Sequence, residues 1–186
     1  MKRRTMILAG GVVAATLLSA ALPLSRILIW NVTQSVPTGL YHIRGKASLH
    51  VGERVAIDPP SRLRTILAEG GYLPHGVPLL KEVAALSGDR VCRSGPTITI
   101  NGERAGEART LDSQSRPLPT WQGCQTIAAD EIFVMNRRAP ESFDGRYFGP
   151  IVLADVIGRA SPVWTDEAGD GAHVWFARPH MNSLSQ

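Results

Sequence analysis

With 186 residues, 44% of them hydrophobic and 19% charged, the chain has the make-up of one globular domain with a sizeable core, and its length does not call for a second. The formal net charge of +4 is concentrated at the front: without Lys2, Arg3 and Arg4 the remainder carries 17 basic against 16 acidic residues, which disfavours a nucleic-acid groove, because backbone binding needs clustered positive charge. The two cysteines, Cys92 and Cys124, form no Cys-x-x-Cys pair and have no nearby histidine, so they offer no zinc pattern.

In chain order, the first feature is an uncharged stretch at 5–25, within which 6–24 is dominated by Ala, Leu, Val and Gly. It is long enough to cross a hydrocarbon core as a helix. Lys2, Arg3 and Arg4 precede it and Arg26 alone follows closely, so the positive-inside bias predicts a cytoplasmic N-terminus and export of everything beyond. Ser19, Ala20 and Ala21 allow the competing reading of a cleaved signal peptide. However, the apolar run exceeds the roughly 7 to 15 residues of a signal core, and residues 27–30 continue it, which favours an anchor. Trp30 suits the membrane interface. The predicted organisation is a cytoplasmic tip and transmembrane anchor at 1–28 and an exported domain at 29–186.

The exported part reads mainly as strands. Short apolar or alternating runs bounded by Gly, Pro and Asp occur at 54–57, 79–84, 90–92, 131–135, 151–157 and 174–177. Residues 97–100, followed by Asn101-Gly102, signal a hairpin, since both turn residues accept positive φ. One soluble helix is predicted at 61–69. Ser61 would cap it after Pro59-Pro60, Leu63, Ile66 and Leu67 share a face, and Gly70-Gly71 ends it. The polar segment 102–123, with Pro117 and Pro119, reads as an exposed excursion. The expected fold class is therefore mainly β with one small helix, preceded by a transmembrane helix. In an exported domain Cys92 and Cys124 are expected to form a disulfide; two unpaired buried thiols are the alternative.

Two residues carry the candidate chemistry. Ser35 stands in Thr33-Gln34-Ser35-Val36-Pro37-Thr38-Gly39, where Pro37 and Gly39 would hold its hydroxyl on a stiff, tightly turned loop. Lys81 lies between Val77-Pro78-Leu79-Leu80 and Val83-Ala84-Ala85-Leu86, so its ammonium would be embedded among apolar neighbours. A serine becomes a nucleophile beside a base, and a lysine becomes a base when burial strips its charge. Glu82 would face the other way on a strand. Each residue also has a plain reading: a turn serine, and a lysine whose stem packs on the sheet while its head reaches water.

At these positions the chain resembles the signal peptidase I (S26) family of membrane-bound Ser-Lys endopeptidases. Lys81-Glu82-Val83-Ala84-Ala85-Leu86-Ser87-Gly88-Asp89-Arg90-Val91 is similar to the family's lysine box, and Ser142-Phe143-Asp144-Gly145-Arg146-Tyr147-Phe148-Gly149-Pro150 to its Ser-x-Asp-x-Arg-Tyr-aromatic-Gly box. The resemblance runs from Ser35 to about residue 157. It implies a signal-peptidase-like β-domain with Ser35 as nucleophile and Lys81 as general base. Ser142 would orient Lys81, with Asp144 and Arg146 a supporting pair. Thr33 and the Ser35 N–H would form the oxyanion hole, and Gly88 and Asp89 would be structural. The form Ser35-Val36-Pro37 is one residue shorter than the usual Ser-Met-x-Pro, and of the family's Gly-Asp-Asn run only Asn136 remains. The short form and the last box instead resemble the conjugative-transfer TraF-type subgroup, whose members mature a pilin and in some cases join its ends.

The resemblance implies a serine endopeptidase of the inner membrane, single-pass with its catalytic domain periplasmic. It needs neither cofactor nor metal; its partners would be a membrane-bound pilin or preprotein, the lipid bilayer and conjugation machinery, with no nucleic acid. A substrate would lie extended near 29–34 or 78–80. The competing readings are a general leader peptidase and a non-catalytic anchored assembly factor of a conjugation or secretion channel. His42, His50, His75, His173 and His180 are scattered without metal-ligand spacing. A His42–Asp58 triad with Ser35 has no spacing to argue for it.

Overall fold

The computed structural model describes residues 28–177 together with Ile7 and residues 10–13. The predicted spanning segment at 6–24 lies mostly outside the described residues, and among those described no helix is long and apolar enough to cross a membrane. The elements in chain order are β1 (Leu28–Asn31), β2 (Thr38–Arg44), β3 (Arg54–Ile57), α1 (Ser61–Glu69), β4 (Leu79–Ala85), β5 (Arg90–Ser94), β6 (Thr97–Ile100) and β7 (Glu103–Glu107). They continue with β8 (Gly123–Thr126), β9 (Glu131–Val134), α2 (Gly145–Phe148), β10 (Ile151–Val152), a 3-10 turn (Leu153–Asp155), β11 (Val156–Asp166) and β12 (Val174–Trp175). The fold is mainly β with few helices.

The larger sheet runs β1-β2-β11-β3-β4-β9-β10, with β12 added to β11, and the smaller runs β7-β6-β5-β8. Strand β11 is the long spine: it pairs with β2 along Arg159 to Asp166 and with β3 at its start. Buried Ala84, Ala85, Val91, Ile98, Ile100, Ile127, Phe133 and Met135 cement the smaller sheet to β4 and β9. The main core gathers Val55, Ile57, Val83, Ile132 and Val134 from the larger sheet against Leu63 and Leu67 of α1 and Phe143 and Tyr147 near α2.

Several local expectations meet a different outcome. Ser61 does not cap α1: Pro60 occupies the cap position, no side chain bonds the first turn, and Ser61 is the first helical residue. A proline there gives up no amide proton that the helix would have used. The run 151–157 is not one strand, because the 3-10 turn Leu153–Asp155 breaks it. Part of the 102–123 excursion is strand β7, which pairs with β6 across the two-residue Asn101-Gly102 turn, φ 52° and 85°. Gly39 is not in a loop either. It sits in β2 opposite Asn31 and Thr165, with φ 129°, and an added Cβ would lie 2.2 Å from the Trp164 carbonyl oxygen. Glycine is required there by the close approach of β11.

Cys92 and Cys124 are directly opposed in β5 and β8 and are joined by a disulfide that closes a 32-residue separation. Reduction, or replacing both by serine, is expected to lower unfolding free energy by about 3 to 4 kcal/mol. Urea denaturation with and without reductant reads this directly; superimposable curves would show that the crosslink contributes no stability.

Candidate active site

Ser35 lies between β1 and β2, in a loop tied together by one buried asparagine. Asn31 Nδ2 donates to the carbonyls of Thr33, Val36 and Pro37 at 2.8, 3.1 and 3.1 Å. Its Oδ1 accepts from the Thr33 N–H at 3.1 Å and the Thr33 hydroxyl at 2.8 Å. The Thr33 and Ser35 hydroxyls are 3.2 Å apart. A hydroxyl has one proton, and the proton of Thr33 goes to Asn31, so Ser35 is the donor to Thr33. Tyr41 anchors the far side of the loop by donating to the Pro37 carbonyl at 2.7 Å.

Lys81 is in the middle of β4 and only 4% exposed. Its Nζ donates to Ser142 Oγ at 2.9 Å. Burial lowers its pKa to about 8, with Asp144 acting to raise it and Arg146 to lower it. The amine is therefore neutral in about one molecule in ten at pH 7. Asn136 Nδ2 also donates to Ser142 Oγ, at 3.2 Å, while its Oδ1 accepts the Glu82 N–H at 2.8 Å. Both lone pairs of Ser142 are thus filled, one by Lys81 and one by Asn136.

Behind Ser142 lies a buried ion pair. Asp144 is wholly buried and accepts from Arg146 Nε and a terminal nitrogen at 2.8 and 2.9 Å, and from the Asn136 N–H at 3.0 Å. Asp144 also caps α2 by accepting the Arg146 N–H. Arg146 spends its remaining protons on the carbonyls of Glu107, Ala139, Pro140 and Ser142. The pair is satisfied on every side, which is what a charge pair out of water requires. It pins the 136–146 segment that presents Ser142 to Lys81.

Ser35, Lys81 and Ser142 line one cleft of about 730 Å³. Its walls include residues 29–34 and 78–80, so both predicted substrate tracks face the same space. Strands β1 and β4 have three strands between them in the sheet order, and meet because the sheet curls. The floor is apolar, with Leu67, Tyr72, Leu79 and Phe143; Tyr72, Phe143 and Tyr147 stack at 5.1 and 5.4 Å. Among the described residues Ser35 bonds Thr33 and Lys81 bonds Ser142, with no direct hydrogen bond between Ser35 and Lys81. A turn of the Ser35 side chain away from Thr33 is needed to bring its proton to the amine.

Sequence reasoning singled out Ser35, Lys81, Ser142, Thr33, Asp144 and Arg146, and all six fall in or directly behind this cleft. Gly88 and Asp89 lie apart, in the β4–β5 turn, where Asp89 Oδ2 accepts the Leu86 N–H at 2.8 Å. Asn31 was missed, and its signal was slight: a lone polar residue at the end of an apolar strand. No triad forms from His42 and Asp58: His42 accepts from Arg44 at 3.4 Å and Asp58 pairs with Arg64 at 3.1 Å. Among the described residues no cluster of His, Cys, Asp and Glu is arranged to hold a metal ion.

A model of the family described as signal peptidase, peptidase S26, matches residues 2–165. The chain is 33% identical over 176 residues to the plasmid transfer protein TraF of Escherichia coli, covering 88% of this chain and 97% of that one. It is 34% identical to the probable conjugal transfer protein TraF of Sinorhizobium fredii, covering 73% and 76% of the two chains. A crystal structure of a signal peptidase I from Enterococcus faecalis aligns with a TM-score of 0.37 at 21% identity, covering 62% of this chain and 98% of that one.

Proposed function

The chain belongs to the signal peptidase (peptidase S26) family and its TraF-type subgroup, with a peptidase-like role in conjugation; from that premise we propose that it is a membrane-anchored serine endopeptidase with a Ser35–Lys81 dyad that processes a conjugative pilin precursor. The observation that carries the proposal is a buried lysine with its pKa brought to about 8, in the same cleft as a serine on a fixed loop.

Ser35 Oγ attacks the scissile carbonyl carbon as its proton passes to the Lys81 amine. The resulting oxyanion accepts from the Ser35 N–H and from the Thr33 hydroxyl, which turns away from Asn31 to donate. Collapse breaks the C–N bond, and Lys81 returns the proton to the departing amine. Water then attacks the acyl-enzyme to release a linear chain, or an incoming amine attacks it to form a new peptide bond. Ser142 and Asn136 hold Lys81 in place throughout.

The inner-membrane location rests on the apolar segment 6–24 and is supported by an aromatic cluster beside β1. Trp30, Trp175 and Phe176 are 54%, 66% and 72% exposed, and Trp164 touches both Trp30 and Trp175, at 6.0 and 5.8 Å between ring centroids. Such rings suit the bilayer interface.

The test is conversion of a purified pilin precursor by the detergent-solubilised chain, with the product weighed. A ring is lighter than the corresponding linear product by one water. Because the base must be uncharged, kcat/KM should rise with pH through about 8 and level off above it. A profile flat from about pH 6 to about pH 10 would remove Lys81 from the reaction, and an unchanged precursor would remove the peptidase reading.

A further inference from the structure

Ser35 also lines a second cleft, of about 460 Å³, on the far side from Lys81. The alternation of β4 makes the division: Lys81 points into the apolar cleft and its neighbour Glu82 into this one. A polypeptide with its reacting carbonyl at Ser35 enters on one side and leaves on the other. If its acyl part lies along 29–34 and 78–80, the part beyond the scissile bond runs into the second cleft.

That cleft is polar, and most of its charges are already matched. Arg54 holds Glu167 with two parallel bonds of 2.8 and 2.7 Å. Asp166 accepts the N–H groups of Gly169, Asp170 and Gly171 at 2.7, 3.2 and 2.9 Å. Three facing charges are not engaged in this way: Arg137, Arg138 and Glu82, whose side chains make no hydrogen bond or ion pair among the described residues. Both arginines are exposed, and Arg138 borders both clefts beside the nucleophile. Glu82 is half-buried; burial raises its pKa against the pull of Arg54, Arg137 and Arg138. The lining arginines Arg54, Arg137 and Arg138 balance Glu82, Asp166 and Glu167 in number, but Asp166 is turned onto backbone N–H groups and Glu167 onto Arg54, which leaves the Arg137 and Arg138 guanidinium groups facing the path of the departing segment.

We propose that this cleft binds a carboxylate on the departing side of the substrate, with Arg137 and Arg138 as its charge partners. The carboxylate is either an acidic side chain shortly beyond the cleaved bond or the substrate's own C-terminus. The Arg54–Glu167 pair shows the same chemistry already built into the cleft wall, a guanidinium fork closed on a carboxylate. The proposal rests on the peptidase reading of Ser35 and adds to it a rule for which bond is chosen.

The test uses the full chain in detergent and acetylated alanine-rich peptides. Asp, Glu, Asn or Gln is placed at each of the first four positions after the cleaved bond, each peptide ending in a free acid or an amide, and products are identified by mass. The acid should exceed its amide isostere in kcat/KM by about fivefold, the size of an exposed ion pair, expressed mainly in KM. The side-chain and terminal arms tell the two carboxylate sources apart. In R137A/R138A the ratio should fall to about one, and in R137E/R138E peptides with lysine at the same position should be preferred. No acid preference in the wild type, a preference that survives both double variants, or a wild-type preference for lysine, which would assign the cleft to Glu82, overturns the proposal. Failure of the wild type to cleave any peptide, with Ser35→Ala indistinguishable from it, would instead bring down the peptidase reading, and this one with it.

Discussion

Replacing Lys81 by methionine is expected to abolish processing and, at the same time, to make the protein more stable. The loss of kcat/KM should be at least about 10³-fold, the upper part of the range for removing a general base, because no other titratable side chain takes the amine's place beside Ser35. Ser35→Ala should lose as much or more, and the double variant little beyond either single one, since the two groups act as a unit. The stability gain has a separate origin. Lys81 titrates near 10.5 when exposed and near 8 when folded, so at neutral pH the fold carries a buried charge it disfavours by about 3 kcal/mol. Methionine fills similar space without that charge and forfeits only the bond to Ser142, worth about 1 kcal/mol. The net gain of about 2 kcal/mol should raise the melting temperature by roughly 4 to 8 °C at pH 7. Below about pH 8 both folded and unfolded chains hold the proton and the penalty is complete; between about 8 and 10.5 only the unfolded chain holds it, and the penalty fades. The gain should therefore shrink to nothing or reverse as pH passes about 10.5. A variant less stable than the wild type at pH 7 would mean that the amine is well solvated by its surroundings.

Arg146→Ala should be the most damaging substitution for the fold. It leaves Asp144, which has no exposed surface, without its hydrogen-bonded cation in a site closed to water, and it frees the carbonyls of Glu107, Ala139, Pro140 and Ser142. Breaking such a pair costs about 3 to 5 kcal/mol. For a chain of this size that corresponds to a fall of roughly 6 to 20 °C in melting temperature. The double variant Asp144→Asn, Arg146→Met removes both charges and should recover part of the loss in stability. It should not recover activity to the same extent, because Asp144 also fixes the Asn136 N–H, and Asn136 is what holds Ser142 against Lys81. A melting temperature within about 2 °C of wild type for Arg146→Ala would show that water reaches Asp144 after all.

How much of this was legible depended on whether the cause was local. The Asn101-Gly102 hairpin, the apolar face of α1 and the inward-facing Lys81 follow from residue types at fixed spacing, which is why they could be read without coordinates. Strand β2 was hidden because its inward positions are Gly39, Tyr41 and Ile43 while Leu40 lies outward and half-buried, so the alternation of apolar and polar residues is blurred. Gly39 looks like a turn residue, and the reason for it lies 125 positions away at the Trp164 carbonyl. The six candidate residues were singled out by motif and lie together in the structure, whereas Asn31 and the Ser142-bridging role of Asn136 emerged only from geometry. An asparagine's two donors and its acceptor can be assigned only once their partners are in place. The second cleft was equally invisible: it is assembled from the ends of β11 and β3, the middle of β4 and the loop after β9, and no single stretch of sequence announces it.

The proposed chemistry depends on the charge state of one amine, and an NMR titration of the Lys81 ¹³Cε resonance in the folded protein, assigned by its loss in Lys81→Met, measures it without any substrate. A midpoint near 8 is predicted, tracking the pH dependence of processing. A midpoint at or above about 10, the value of a solvated lysine, would contradict the account, for Lys81 would then be charged at every physiological pH and unable to take the proton of Ser35.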